Sequence, residues 1–391
     1  MREMYPEESE GSVVSGTSIV GMDKDELDTP ALWVDLDAFE SNVQRLTEYF
    51  RTAGVGWRPH FKGLRVPALA HKQIAAGAIG VSCTTLAEAE AAVEAGIPSV
   101  LITNEIVGPQ KIARLVALLQ GDSEVIVCVD NAENVRALSL AAQVEDVQLP
   151  VLVDVDVGLN RCGVFPGEPA LVLGKLVNDA PNLILKGLMG YEGHTELIFD
   201  PEERRPAIEK SVELVIDTAD LCRASGLPVE IVSCASSVTY PVTAHIPGVT
   251  EIQAGGVTFM DVVYRSLGAD LDYSLFIRAT VVSRPTPTRA VVDAGRKKMG
   301  CVYVARAGDT SGLSWARCPV AMPQPRDMPG VSLRALNAEH GILELAPTTP
   351  LQVGDKIDFI AGYVDFTVFH HSKLYGVRKG KIEEVWDILA R

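Results

Sequence analysis

Trp57-Arg58-Pro59-His60-Phe61-Lys62 reads as a short strand running out into a lysine, the arrangement expected where a barrel strand meets its C-terminal rim. A lysine amine is a weak nucleophile while protonated. A lysine used for imine chemistry therefore has to be held partly desolvated and close to a carbonyl. The surroundings of Lys62 suit that use, with His60 two residues before it and Phe61 beside it. A single lysine after a strand is more often an ordinary surface residue, so the weight of this reading comes from the rest of the chain.

Working outward, apolar runs of strand length alternate with helical patterns from Pro30 onward. The runs cover residues 31–36, 56–60, 79–83, 100–104, 125–130, 150–156, 184–191, 230–235 and 250–255, nine in all. Between them lie helical stretches such as 86–95, with apolar residues at three- and four-residue steps, and 202–225, charged on one side. This alternation predicts an α/β fold with a parallel sheet covered by helices, either a (β/α)8 barrel or a doubly wound sheet. Nine runs for eight barrel positions leave one strand to place. After about Ala269 the helical period gives way to strand-length runs at 280–283, 290–293, 331–336, 342–345 and 356–361, separated by Pro and Gly, which predicts a second, mainly β domain.

The chain has 391 residues, 47% of them hydrophobic, and no run approaches the ~20 apolar residues of a membrane helix. Its formal net charge of -16 repels a phosphate backbone or an anionic lipid surface, so nucleic-acid and membrane partners are not expected. The seven cysteines are scattered without a C-x-x-C pair, which predicts reduced thiols and a cytoplasmic location. The N-terminus lacks the basic start and apolar core of a signal peptide and reads as a loose acidic tail.

Barrel enzymes gather their reactive groups at the C-terminal ends of the strands, where all strands point at one cavity. Five predicted strand ends here carry polar or glycine-rich clusters: Lys62; Arg161 after Asp154-Val-Asp156-Val-Gly158-Leu-Asn160; Tyr191-Glu192-Gly193-His194; Ser236-Ser237-Val-Thr239-Tyr240; and Gln253-Ala-Gly255-Gly256. Small and hydroxylated residues at the last two let backbone N–H groups approach a phosphate. Any one of these clusters alone is more often a plain turn, whereas five on one rim predict a cofactor site.

Taken in order, these landmarks resemble the D-threonine aldolase and D-serine dehydratase-like family, which shares the barrel and β domain of alanine racemase. The matching stretches are Asp28-Thr-Pro-Ala-Leu-Trp-Val-Asp-Leu-Asp-Ala, Arg58-Pro-His-Phe-Lys62, Val107-Gly-Pro, Asp156-Val-Gly-Leu-Asn-Arg161-Cys-Gly-Val, Gln253-Ala-Gly, Phe259-Met-Asp261, Ser283-Arg-Pro-Thr and the closing run from Glu384 to Arg391. The resemblance implies a (β/α)8 TIM barrel of alanine racemase type with a C-terminal mainly β domain. It divides the chain into a tail (1–27), a strand joining the β domain (28–40), the barrel (41–270) and the β domain (271–391). It also implies pyridoxal 5'-phosphate as cofactor, an amino-acid substrate and a homodimer. By position, Lys62 matches the Schiff-base lysine, and Arg161 the residue near the cofactor's phenolic oxygen. Tyr191 matches a tyrosine near the pyridine ring, and Ser236, Ser237, Gly255 and Gly256 the phosphate contacts. His60 matches a residue that helps orient the site.

One departure stands near the C-terminus. The family carries a His-x-Asp or His-x-Cys pair that binds a divalent metal beside the substrate hydroxyl, and here the run is Gly362-Tyr363-Val364-Asp365-Phe366-Thr367. Asp365 keeps the carboxylate, but Tyr363 replaces the histidine. Ionising a phenol at neutral pH costs about 4 kcal/mol before any metal binds, so one carboxylate beside a neutral phenol should hold manganese or zinc weakly. His370 or His371 would have to supply the lost nitrogen.

The resemblance implies a lyase acting on D-β-hydroxy-α-amino acids, with retro-aldol cleavage as the first expectation and dehydratase-type β-elimination as the second. A metal-independent racemase-like reaction with Tyr363 handling a proton is third. A non-catalytic carrier of the cofactor resembles the barrel alone, whereas this chain also has a β domain able to close an active site.

Overall fold

The computed structural model describes residues 19–300 and 322–389. Eight parallel strands form one sheet: β2 (Gly56–Trp57), β3 (Val81–Cys83), β4 (Ser99–Glu105), β5 (Glu124–Val129), β6 (Leu149–Val155), β7 (Leu183–Gly190), β8 (Ile231–Cys234) and β9 (Glu251–Ile252). They run in the order β2-β9-β8-β7-β6-β5-β4-β3. A doubly wound sheet would leave two open edges. Here the edges β2 and β3 meet through a parallel bridge between His60 and Ser82 and the bonds Ile79 N–H to Trp57 O (2.8 Å) and Ser82 N–H to Pro59 O (3.0 Å). The sheet therefore closes on itself, and all eight C-terminal ends share one rim.

The ninth run is β1 (Ala31–Asp35), which lies outside the barrel. It pairs antiparallel with β10 (Leu275–Thr286) and parallel with β16 (Lys373–Arg378). Its sequence accounts for that position, because both faces of β1 are apolar. Leu32 and Val34 face the main core, whereas Ala31 and Trp33 pack with Phe276, Val377 and Ile382 in a second cluster. Such a strand belongs in the middle of a sheet with a core on each side. The other strands of this sheet are β11 (Arg289–Val292), β12 (Gln324–Pro325), β13 (Val331–Leu336), β14 (Gly341–Leu345), β15 (Lys356–Ile360) and β17 (Lys381–Asp387). The β16–β17 hairpin escapes the sequence reading. Its tight turn uses Lys379 and Gly380, both at positive φ, rather than the Asn-Gly or Asp-Gly pair that marks such turns.

The acidic tail expected through residue 27 is corrected in its last part. Asp23 caps a short helical turn, Lys24–Glu26, Lys24 pairs with Asp358, Leu27 is buried, and Gly21 N–H bonds the Ile382 carbonyl. Charge alone suggested a solvated segment, but its carboxylates and lysine find partners on the β domain. Residues 1–18 lie outside the described residues, as do Cys301 and Cys318. No helix among the described residues is long and apolar enough to cross a membrane.

Candidate active site

A cavity of about 260 Å³ opens at the C-terminal rim. Lys62 enters it from the turn Phe61–Gly63, just past β2, with its side chain 39% exposed to the cavity and solvent. His60, two residues earlier, is half-buried, and its Nε2 lies 3.2 Å from Thr103 Oγ1. Burial first, then the charges of Lys62 and Arg161, hold the His60 imidazole well below its usual range, so it is a neutral ring beside the lysine. Its Nδ1 is buried without a partner among the described residues.

Arg161 is placed by the loop after β6. The Asp156 carboxylate accepts from Gly158 N–H (2.9 Å) and Asn160 N–H (3.0 Å), folding the chain through positive φ at Gly158 and Asn160. The Arg161 guanidinium then lies 5.4 Å from the centre of the Tyr191 ring at the end of β7. Tyr191 donates its hydroxyl to Glu196 Oε1 (3.0 Å), and a Cβ on Gly193 would meet the Tyr191 ring at 2.4 Å, so glycine is required there.

Ser236 and Ser237 follow β8, and Gly255 and Gly256 follow β9. The two loops are tied by Val257 N–H donating to Ser237 Oγ (3.1 Å). A Cβ on Gly255 would come within 2.4 Å of the His60 carbonyl oxygen, and one on Gly256 within 2.6 Å of the Tyr264 hydroxyl. The glycines therefore bring bare backbone against the Lys62 loop. The amides of Ser237, Gly255 and Gly256 donate to no acceptor among the described residues, and these three residues line the cavity together with Ser236. Three unused N–H groups around a pocket that also holds one reachable lysine fit the phosphate and aldehyde of pyridoxal phosphate.

Tyr363 reaches the cavity from the β domain. Asp261, buried after β9, accepts from Val364 N–H (2.9 Å) and Tyr264 N–H (2.7 Å), fastening the 363–365 turn onto the barrel rim. The Tyr363 hydroxyl donates to Asp365 Oδ2 (3.1 Å), and the same oxygen lies 3.2 Å from Lys62 Nζ. Burial, then the Asp365 charge, holds the Tyr363 phenol well above its ordinary range. The His371 ring nitrogen is engaged by the Lys298 carbonyl (2.9 Å), and burial pushes that ring down to about 4. A divalent metal does not fit this set. The one carboxylate oxygen is shared between an ammonium and a phenol, and His371 is turned to the backbone.

The residues singled out by sequence thus converge: Lys62, His60, Arg161, Tyr191, Ser236, Ser237, Gly255, Gly256 and Tyr363 all line one cavity, with Asp365 directly behind Lys62. His194 does not join them; its Nε2 lies 3.2 Å from Ser211 Oγ on a flanking helix. Sequence reasoning passed over two acids. Asp154, buried at the end of β6, is pushed up to about 8 by burial and then by neighbouring Glu105, with Arg161 pulling the other way. Glu196 is buried and pushed up to about 7. Among the described residues, the one group of three metal-ligand side chains close enough to share an ion is Glu105, Asp130 and Cys162 on the same rim.

Known proteins bear out the fold. Residues 34–262 match the model of the alanine racemase N-terminal domain, and residues 274–377 that of a putative serine dehydratase domain. A 3-hydroxy-D-aspartate aldolase of Paracoccus denitrificans is 34% identical over 386 residues, 96% of this chain and 95% of the relative. A D-threo-3-hydroxyaspartate dehydratase of Delftia sp. is 31% identical over 326 residues, 82% of this chain and 84% of the relative. The crystal structure of D-threonine aldolase from Filomicrobium marinum superposes with a TM-score of 0.87 at 36% identity, covering 95% of this chain and 98% of that one. A likeness this complete in both sequence and fold means that the chain belongs to the D-threonine aldolase and D-serine dehydratase-like family of alanine racemase-type enzymes.

Proposed function

We propose that this protein is a pyridoxal phosphate-dependent lyase that cleaves D-β-hydroxy-α-amino acids by a retro-aldol reaction without a divalent metal. Lys62 would hold the cofactor's aldehyde carbon, the free amides of Ser237, Gly255 and Gly256 with the Ser236 hydroxyl its phosphate, and Arg161 and Tyr191 its ring. When bound, the cofactor withdraws electrons from the α-carbon of an amino acid joined to it.

What happens next depends on the substrate's β-oxygen. Retro-aldol cleavage needs a base to take the β-hydroxyl proton, whereas β-elimination needs an acid to give that oxygen a proton. One observation supports the first: the Tyr363 hydroxyl points its proton at Asp365 Oδ2. Tyr363 also lines the cavity, and a hydroxyl that donates its own proton can accept another on the same oxygen. Tyr363 Oη takes the substrate's hydroxyl proton as its own passes to Asp365. The Cα–Cβ bond breaks, its electrons go to the α-carbon, and an aldehyde leaves. A proton then returns to the α-carbon, for which Lys62 is the amine at hand, and glycine is the second product. The phenol need not ionise at rest, because its proton leaves as the new one arrives. Asp365, with Oδ2 3.2 Å from Lys62 Nζ, holds the amine beside the cavity before the reaction.

The test is to reduce the reconstituted protein with borohydride and map the modified peptide, then to supply D-threonine, D-serine and D-3-hydroxyaspartate with manganese, without it, and with chelator. Cofactor fixed on Lys62, and glycine plus an aldehyde formed equally in all three conditions, are the expected results. A keto acid and ammonia would move the assignment to dehydratase. Activity lost to chelator and restored by manganese would overturn the metal-independent reading.

A further inference from the structure

Glu196 has no part in the steps above, yet it is among the most deeply placed groups on the cavity wall, 3% exposed. It belongs to the short helix Gly193–Leu197 after β7; its carboxyl accepts from the Tyr191 hydroxyl at 3.0 Å and lies near Ser236, which lines the same cavity. The charged and titratable groups facing it are Lys62 from the β2 loop, Glu192 from its own loop, Arg204 from the helix Pro201–Ala224, and the phenols of Tyr191, Tyr264 and Tyr363. Arg204 is committed elsewhere, with Nη2 donating to the Leu267 carbonyl at 2.7 Å. The Ser236–Gly256 end of the cavity therefore presents hydroxyls and amides, and the ionisable group beside Ser236 is an acid rather than a base.

That arrangement is odd for a phosphate site. A phosphate monoester is close to a dianion at pH 7 and above, and a buried carboxylate on the same cavity wall would repel it in a low-dielectric pocket. A proton on the carboxyl removes the repulsion and turns the acid into a hydrogen-bond donor. We propose that Glu196 is a proton-gated element of the phosphate site: the cofactor binds with this carboxyl protonated, so that binding takes up a proton, and ionised Glu196 expels the phosphate. Burial already lifts this group to about 7, against the lowering pull of Ser236, Tyr191 and Lys62, so the gate is poised in the physiological range. The inference rests on the cofactor reading above and specifies how the same pocket retains its phosphate.

The probe is 4'-deoxypyridoxine 5'-phosphate, which carries the phosphate and ring but no aldehyde and cannot condense with Lys62. Its affinity and proton uptake are measured by calorimetry from pH 6 to 9 in buffers of different ionisation enthalpy, for the wild type and Glu196→Gln. Wild-type affinity should fall about tenfold more than that of the variant between pH 6 and 8, and at pH 8 the wild type should take up about 0.9 more proton per ligand. Tyr191→Phe removes a hydrogen bond that favours ionised Glu196, so it should move the break in the wild-type profile to higher pH whatever it does to overall affinity. Identical pH profiles and proton counts in wild type and Glu196→Gln, with both binding, would overturn the gate and leave the cofactor reading intact. If Glu196→Gln does not fold, an unshifted break in Tyr191→Phe overturns it equally. No binding by any of the proteins at any pH, with no borohydride-trapped cofactor, would overturn both.

Discussion

The floor and the mouth of the barrel bury the same kind of side chain and treat it in opposite ways. On the floor, Glu251 opens β9 and meets Arg58, whose Nε lies 3.0 and 3.1 Å from the two carboxylate oxygens. Arg58 also donates to Ser99 Oγ (2.9 Å), which donates to Glu124 (2.9 Å), so acids and hydroxyl at the starts of three strands share one guanidinium. At the mouth, Asp154 and Glu196 are buried as deeply with no guanidinium hydrogen-bonded to either among the described residues, and their carboxyls rise to about 8 and about 7. Burial alone therefore does not say what an acid is for. A paired acid locks strands together, whereas an unpaired one holds a proton that can move, which matches the division of labour between the two ends of such barrels.

The largest effect expected from this contrast is on the floor. Glu251→Gln leaves Arg58 buried without its counter-charge and should cost about 3–5 kcal/mol of stability in chemical denaturation. Glu196→Gln at the mouth removes no ion pair and should leave the denaturation midpoint close to that of the wild type. Equal losses in the two variants would break the comparison, because both acids would then be structural.

A smaller effect is expected at the point where the β domain enters the mouth. Tyr363→Phe keeps the ring and its packing against Tyr264 and Phe366 but removes the hydroxyl that faces Asp365. Loss of a positioned acid–base group should lower kcat about a hundredfold, or about 2.7 kcal/mol, with KM little changed. Tyr363→His sharpens the same point. It restores a nitrogen two residues before Asp365, and it should make manganese raise the melting temperature where the wild type shows no such response.

The outline of the molecule was legible in the order of its elements. Each of the nine early runs became a strand, since alternating apolar runs and helical periods report burial directly. Placing 31–36 in the β domain needed the resemblance, although the two-faced apolarity of Leu32, Trp33 and Val34 carries the same message once a second core is known to exist. The candidate site was legible where a residue type is unusual for its position, as with Lys62, the Gly255–Gly256 pair and the tyrosine at 363. Glu196 and Asp154 were not, because an acid at or just past a strand end looks solvated until the fold buries it. His194 stands in the same loop as Glu196, but its ring turns to Ser211.

The smallest effect per pH unit is a slope rather than a loss. Asp154 and Glu105 form a carboxyl pair in which Asp154 holds its proton to about pH 8 in the folded protein, against a reference value of 3.8. Between those values the folded chain binds a proton that the unfolded chain has released. Stability contributed at this position therefore falls as pH rises from about 4 to 8, by up to about 1.4 kcal/mol per pH unit, and is level outside that window. Asp154→Asn cannot titrate, so the difference in unfolding free energy between variant and wild type should grow in the variant's favour across the window and stop growing above it. On the floor, Glu251 is paired with Arg58 at 3.0 Å, and its removal should show no comparable gain at any pH. A flat difference for Asp154→Asn would mean that the mouth acid is already satisfied as a carboxylate, and the distinction drawn between the two ends of the barrel would rest on Glu196 alone.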